Sequence, residues 1–470
     1  MRTQGRRTRT PDAPRRQETR RLDVTAILAV VLPLVTVGAL AIVRPGADVL
    51  VDHPPSLTRL NAATLVCPSA LAGDGSVTLG TTESSTSGGT LTLRSGATSP
   101  ERGITLTGDR LAVERSVPGA AVIHGRDALA PGLLAGRFGT GTLTGLDCPN
   151  PTPDQWFTGV GARADHDSVI ELTNPDAGPA IADIYLLARS RQLVVSRLRG
   201  ITVPGGKTIS IDLGVKSPRR PELTAHVVVN RGRLGVHVLD QHVDLLSKKR
   251  TSEWLPPQLV PSTSNDLLGV PQGPGRRTVE VANGGQDVVS ASVQIITGDT
   301  IFSPANLPDL QVPPGTTRTL DVTAALAKSL ADGAVGLRVT ADQPVTATLS
   351  SVYAGDRVLT VPDTEITTTT GVLLPRSGAR ALLLSGTAAG VAHLRAFTAT
   401  GAAIALPDVE LEKGRTVSTK LPANAALVEV TPERTSVTGA VLVTGQGGLV
   451  LPLRALLVNG LVPDVRPGSP

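Results

Sequence analysis

Aromatic side chains are nearly missing from this chain. They make up 2% of its 470 residues: Trp156, Trp254, Tyr185, Tyr353 and four Phe. Cores built on large rings are thereby excluded, and burial must come from Val, Leu, Ile and Ala. Methionine occurs once, at the start, and arginine far outnumbers lysine, which reads as GC-rich coding. Cysteine stops at two, Cys67 and Cys148. That is too few for a disulfide-dense scaffold, and the Cys-x-x-Cys spacing of a redox or metal motif is missing. No Gly-x-Ser-x-Gly elbow occurs, and the seven histidines are scattered. The expectation is therefore a non-enzymatic protein with no cofactor and no metal.

The formal charge of +5 and pI near 9.5 mislead until they are divided. Residues 1–21 carry eight arginines against Asp12 and Glu18, a net of +6, which leaves −1 for residues 22–470. The body thus lacks the basic footprint of a nucleic-acid binder. After Arg20-Arg21 comes Val24 to Val43, twenty residues without a charge. At about 1.5 Å per residue this run spans roughly 30 Å, the hydrocarbon thickness of a bilayer. The arginines before it place that end in the cytoplasm and the body outside. Ala39-Leu40-Ala41 also has the spacing of a signal-peptide cleavage site, in which case the body is secreted.

What the chain has in abundance is turn and strand chemistry: 49 Gly, 37 Pro and much Val and Thr. One pattern recurs: Val203-Pro204-Gly205-Gly206-Lys207-Thr208, Val312-Pro313-Pro314-Gly315-Thr316-Thr317 and Leu411-Glu412-Lys413-Gly414-Arg415-Thr416. Each precedes an alternating apolar run, and Gly206, Gly315 and Gly414 lie 109 and 99 residues apart. The pattern predicts one hairpin repeated at the period of a small sandwich. Gly205-Gly206-Lys207-Thr208 superficially resembles a phosphate loop. A strand follows it instead of a helix, and the lysine becomes Thr316 and Arg415 in the other copies, so nucleotide binding is not expected. Ser116-Val117-Pro118-Gly119 reads as a weaker fourth echo.

The predicted fold is all-β: a transmembrane helix followed by tandem immunoglobulin-like antiparallel sandwiches, presented as a rod. The segments are a basic tail at 1–21, the helix at 22–43, a stalk at 44–59, a disulfide-clipped β domain at 60–155, and sandwich copies at 156–255, 256–370 and 371–470. In an oxidising compartment Cys67 and Cys148 pair, closing a loop of about 80 residues worth roughly 4 kcal/mol. His226, His237, Asp240 and His242 invite a metal reading. On one strand, however, His237 and His242 point to opposite faces. Asp165-His166-Asp167 reads as a solvated polar turn. Trp156 and Trp254 each stand at a copy boundary, as seam contacts or as stacking platforms for a glycan.

The basic tail and single apolar segment, Val66-Cys67-Pro68, Cys148-Pro149 with Trp156-Phe157-Thr158-Gly159 after it, and Leu172-Thr173-Asn174-Pro175 together resemble a domain-of-unknown-function family. Its members are secreted or membrane-anchored β-rich proteins of high-GC Gram-positive (actinobacterial) bacteria. The resemblance implies location and fold rather than an activity. The expected function is a non-catalytic structural or binding module of the cell envelope with a protein or glycan partner. The alternatives are a glycan-binding protein, or an envelope hydrolase or transferase with its site at a domain seam.

Overall fold

The computed structural model describes residues 24–42 and 56–462, apart from 72–74, 84–87, 97–98, 140–142, 245–247 and 363. The basic tail and most of the stalk lie outside the described residues. The chain divides into two compact units, residues 1–56 with 461–470, and residues 57–460. In the first, Val24–Ile42 is a 19-residue helix with Pro33 inside it. Its side chains are described over residues 28–39. Among the described residues no helix is long and apolar enough to cross a membrane.

The second unit is built from antiparallel sheets, and its second sandwich sets the plan. Its strands form one nine-stranded sheet folded over where Ala162 pairs with Asp167; one layer orders Gln192–Leu193, Ala180–Ala188, Arg220–Arg231 and Asp154–Ala162, with Ile201–Val203 also on Ala180–Ala188. The other orders Thr208–Asp212, His166–Thr173, Gly235–Val243 and Arg250–Leu255. Strict alternation turns Ile184, Leu186, Ala225 and Val227 of the first layer towards Ile170, Leu172, Val236 and Val238 of the second.

The third and fourth sandwiches repeat this order strand for strand. In the third, one 20-residue strand, Ala334–Tyr353, serves both sheets: its first half pairs with Ser262–Leu268 and Val289–Thr297, its second with Arg277–Asn283 and Asp356–Thr360. Residues 62–147 follow the same plan with two four-stranded sheets, so the clipped domain is a fourth copy. A disulfide joins Cys67, at the end of its first strand, to Cys148, just past its last, with Cα atoms 4.7 Å apart.

The repeated turn is not a hairpin. Ile201–Val203 pairs with Ala180–Ala188, whereas Thr208–Asp212 pairs with His166–Thr173 in the opposite sheet. The same crossing occurs from Leu310–Val312 to Thr316–Asp321 and from Val409–Leu411 to Thr416–Lys420. Local alternation specifies two strands and a reversal, but the strand each one pairs with lies far away in sequence. Two buried asparagines hold the crossing. The Asn174 amide donates to the carbonyls of Gly178 (2.8 Å) and Val203 (2.9 Å) while its oxygen accepts from Asp176 N–H (2.9 Å). Asn283 does the same with Asp287 (2.7 Å), Val312 (2.9 Å) and Gly285 N–H (2.8 Å). The fourth echo is also displaced. Val117-Pro118-Gly119 lies one connection later, between Leu111–Glu114 and Ala121–Arg126, and the equivalent turn is at Gly108-Asp109, with φ of 57° and 55°.

The four sandwiches form a closed ring rather than a rod. Gly235–Val243 of the second lies on Ala62–Cys67 of the first, and Thr316–Asp321 of the third on Arg220–Arg231 of the second. Val437–Gly445 of the fourth lies on Ser262–Leu268 of the third, and Val77–Thr81 of the first on Thr370–Leu373 of the fourth. Each sandwich therefore presents its second sheet to the first sheet of its predecessor, a head-to-tail contact that closes after four steps. The last strands, Gly145–Asp147, Arg250–Leu255, Asp356–Thr360 and Gly447–Pro452, touch one another in sequence around the middle.

Candidate functional site

Ring closure explains what the repeated turns do. Gly206, Gly315 and Gly414 all have positive φ, at 69°, 63° and 81°, a region glycine enters without a Cβ penalty. Each turn projects towards the corner of the preceding sandwich. A Cβ on Gly206 would come within 2.8 Å of the Arg94 guanidinium, and one on Gly315 within 3.4 Å of Gln192. One on Gly108 would meet the Thr400 carbonyl at 2.5 Å. Gly414 differs, because a Cβ there meets nothing within 4 Å. Its neighbour Arg415 instead reaches Asp299 of the third sandwich at 2.8 Å.

Beside Gly414 a cavity of about 570 Å³ opens between the third and fourth sandwiches. Its walls include Ser262, Ser264, Asp266, Arg338, Lys413 and Thr438. The Arg338 guanidinium clasps Asp266 through two hydrogen bonds of 2.6 and 2.8 Å, which uses both carboxylate oxygens and fixes the fork. No described lining residue is aromatic.

A second polar centre lies at the end of the second sandwich's core. His166 and Ser168 continue the inward face of Ile170 and Leu172, and Asp240 and His242 continue that of Val236 and Val238. The register pairs His166 with His242 and Ser168 with Asp240. His166 Nε2 lies 2.8 Å from Asp240 Oδ1, His242 Nε2 3.1 Å from Oδ2, and the Ser168 hydroxyl donates to Oδ1 at 2.6 Å. Burial opposes ionisation of Asp240, yet its histidine partners outweigh it and hold the carboxyl well below its usual range. As a pure acceptor it requires Nε2–H on both rings. Burial lowers His166, but the Asp240 carboxylate overcomes this and leaves it raised, while burial dominates at His242 and brings it to about 4.

Two chemistries can be tested on this centre. The His166 and His242 rings stack at 3.8 Å with planes 25° apart. One ligand atom from each of His166, Asp240 and His242 lies within 4.8 Å of the others, close enough for a metal ion, but both Nε2 atoms are spent on the Asp240 carboxylate. Ser168 donates to the Asp240 carboxylate, not to a histidine, so the Ser–His pairing of a hydrolase nucleophile is not formed here. The arrangement is a hydrogen-bonded plug closing the core. The third sandwich adds to it: Leu359 and Val361 enter the same hydrophobic cluster, and burial pushes the carboxyl of Glu280, near His166 and Arg357, up to about 7.

The remaining predicted residues fall at seams. Trp156 is 8% exposed, stacks on His226 at 3.7 Å and packs with Leu187 of its own sandwich and Ala282 of the third. Trp254 is 4% exposed, with its ring edge towards His237. Neither presents an open face for a sugar to stack on. His237 Nε2 bonds the Val66 carbonyl of the first sandwich at 3.0 Å, and burial lowers its pKa to about 3. His226 meets Asp154 at 2.9 Å. Asp165 pairs with Arg163, and Asp167 accepts from Gly214 N–H at 2.8 Å. The sequence reading assigned His166 to a solvated turn and did not join it to Asp240 and His242. The signal was the matching polar-x-polar spacing of 166/168 and 240/242, which only the strand register brings together.

Fold and site together define a closed ring of four β-sandwiches with polar centres at its seams and core ends. A family model, described as a family of unknown function (DUF5719), matches residues 122–422, and the chain belongs to that family. No curated protein matches. Among solved structures, an alignment with the native conformation of E. coli alpha-2-macroglobulin covers 88% of this chain and 29% of that one, at 10% identity and a TM-score of 0.12. The chain thus spans less than a third of that protein, and at this score no common fold is argued.

Proposed function

We propose that this is a membrane-anchored, extracytoplasmic, non-catalytic protein of an actinobacterial cell envelope, whose four sandwiches, of immunoglobulin type, act as a rigid binding module for a protein partner. The observation that carries this reading is the use made of reactive side chains. His166, Ser168, Asp240 and His242 close a core, and Glu429 is locked between Arg110 (2.9 Å) and Arg395 (2.7 Å). A cavity stays open at the seam beside Gly414. The arginine-rich tail and the uncharged run 24–43 support the anchor and its orientation.

Alkaline phosphatase fused after Pro470 tests the address. Activity in intact cells is expected, whereas an inactive fusion that regains activity when moved to a cytoplasmic reporter format would reverse the topology. Photo-crosslinking from the cavity rim at Lys413, followed by capture from the native envelope, tests the binding role. Recovery of no specific adduct would remove it.

A further inference from the structure

The seam between the third and fourth sandwiches departs from the other three. In each sandwich the first strand lies at a sheet edge, where one row of backbone N–H and C=O groups is left for another partner. Elsewhere extended chain meets that edge. Val66 N–H donates to the Pro149 carbonyl at 3.3 Å in the first sandwich, and Trp156 and Gln258 exchange two backbone hydrogen bonds of 2.9 Å in the second. The Thr370 hydroxyl bonds the Arg454 carbonyl in the fourth. In the third, the edge strand Ser262–Leu268 faces the 570 Å³ cavity along Ser262–Asp266.

The docking turn meets this seam differently. Arg110, after the Gly108 turn, reaches inward to Glu429 at 2.9 Å and lies over the Phe397 ring. Arg415, after the Gly414 turn, goes outward to Asp299 and Glu412. Arg338 and Asp266, which occupy the cross-strand place corresponding to Glu429, are left facing the cavity and each other.

Resting on the binding role above, we propose that this cavity receives an extended, polar segment of a partner protein, added as a further strand along Ser262–Asp266. The chemistry selects this occupant. Five edge residues at about 3.3 Å each give roughly 16 Å of template, along which the Ser262 hydroxyl now bonds Ser264 N–H (3.2 Å) and C=O (2.9 Å) and would give way to the incoming strand. Charge in the walls is balanced, with Asp266 and Glu365 against Arg338 and Lys413, which suits a segment carrying charges of both signs. The lack of an aromatic lining residue removes the stacking platform that a saccharide would use. Main-chain bonds would supply affinity, and the serine and threonine hydroxyls would favour small polar side chains.

The test pans a displayed library of random linear seven-residue peptides against the full chain in detergent. Enriched peptides are then measured on wild type, Ser264→Pro and Lys413→Glu. Ser264 is exposed, and its N–H donates to the Ser262 hydroxyl at 3.2 Å rather than to the neighbouring strand, so proline leaves the sandwich paired. The expected result is binding weakened at least tenfold in Ser264→Pro at unchanged melting temperature, with slowed amide exchange at residues 262–266 in the wild-type complex. For Lys413→Glu, selection of acidic side chains should give way to basic ones. Failure to enrich any peptide, equal binding by Ser264→Pro, or binding of chitotetraose in place of peptide would each overturn the proposal. An envelope partner crosslinked equally by wild type and Ser264→Pro would leave the binding role standing and remove only this site. A cytoplasmic body would remove the envelope role without touching the peptide measurement.

Discussion

Two seams of the ring use the same structural positions to opposite ends. Between the fourth and first sandwiches, Glu429 is 1% exposed in its side chain and is gripped by Arg110 from across the seam. Leu111, Phe138 and Leu143 of the first sandwich join the fourth's hydrophobic cluster. Between the third and fourth, the corresponding pair, Arg338 and Asp266, satisfies itself within one sandwich. Apolar contact there is confined to a smaller cluster around Leu268, Val358, Leu383 and Val450. At the fourth–first seam the buried pair takes one member from each side, and neither can be solvated again without opening it, although a cavity of about 520 Å³ lies elsewhere along that seam. At the third–fourth seam the buried pair is complete on one side, and the exposed Arg415–Asp299 pair crosses instead.

Removing the gripping charge should produce the largest difference. Arg110→Ala leaves Glu429 buried with only the exposed Arg395, and a loss of about 3 kcal/mol is expected in chemical denaturation. Asp266→Ala, at the open seam, should cost less than half of that. Equal losses at the two positions would refute the contrast.

The seam between the second and third sandwiches adds a pH dependence. Burial raises the Glu280 carboxyl from 4.5 to about 7 in the folded chain, with His166 and Arg357 opposing and Asp240 and Glu222 assisting. As pH rises from 4.5 to 7 the unfolded chain ionises first, so the folded state loses stability across that window and no further above it. Glu280→Gln lacks this loss. Its advantage over wild type should grow from pH 4.5 to 7 to about 3 kcal/mol and then level off, as read by urea midpoints at several pH values. A constant difference would mean that Glu280 titrates normally.

The turns give the next contrast. Gly108→Ala must hold φ near 57° and drive a Cβ into the Thr400 carbonyl, an expected loss of about 2 kcal/mol. Gly414→Ala carries the conformational strain alone, about 1 kcal/mol. Calorimetric melting of the two variants compares them directly. Smallest of all, Arg415→Ala removes a solvent-exposed pair with Asp299 and should leave melting within error. A clear drop would show that the outward contact helps to hold the third seam.

Much of this architecture is legible in the chain. Alternation locates the strands, Gly206, Gly315 and Gly414 mark the turns, and Cys67 and Cys148 have only each other. Thr323–Ala331 forms a helix between two strands, because its alanine and leucine content is local information. The fourth copy was harder to see. Its turn is Gly108-Asp109 without the preceding Val-Pro, and an aspartate at positive φ carries no distinct sequence signature. The plug escaped for another reason: His166 and Asp240 stand 74 residues apart, and their meeting depends on a register set by the core positions between them.

The sequence by itself determined which segments are strands, where the chain must turn through a left-handed glycine, and that cores would be aliphatic. Those are properties of neighbouring residues and of composition. Only the tertiary structure decided that each turn crosses between sheets, that four sandwiches close on one another, and that a cavity lies beside the Gly414 turn. Strand partners are chosen by packing among residues tens of positions apart, and seam contacts among residues a hundred or more apart, and the free energy that selects them exists only once the chain has folded.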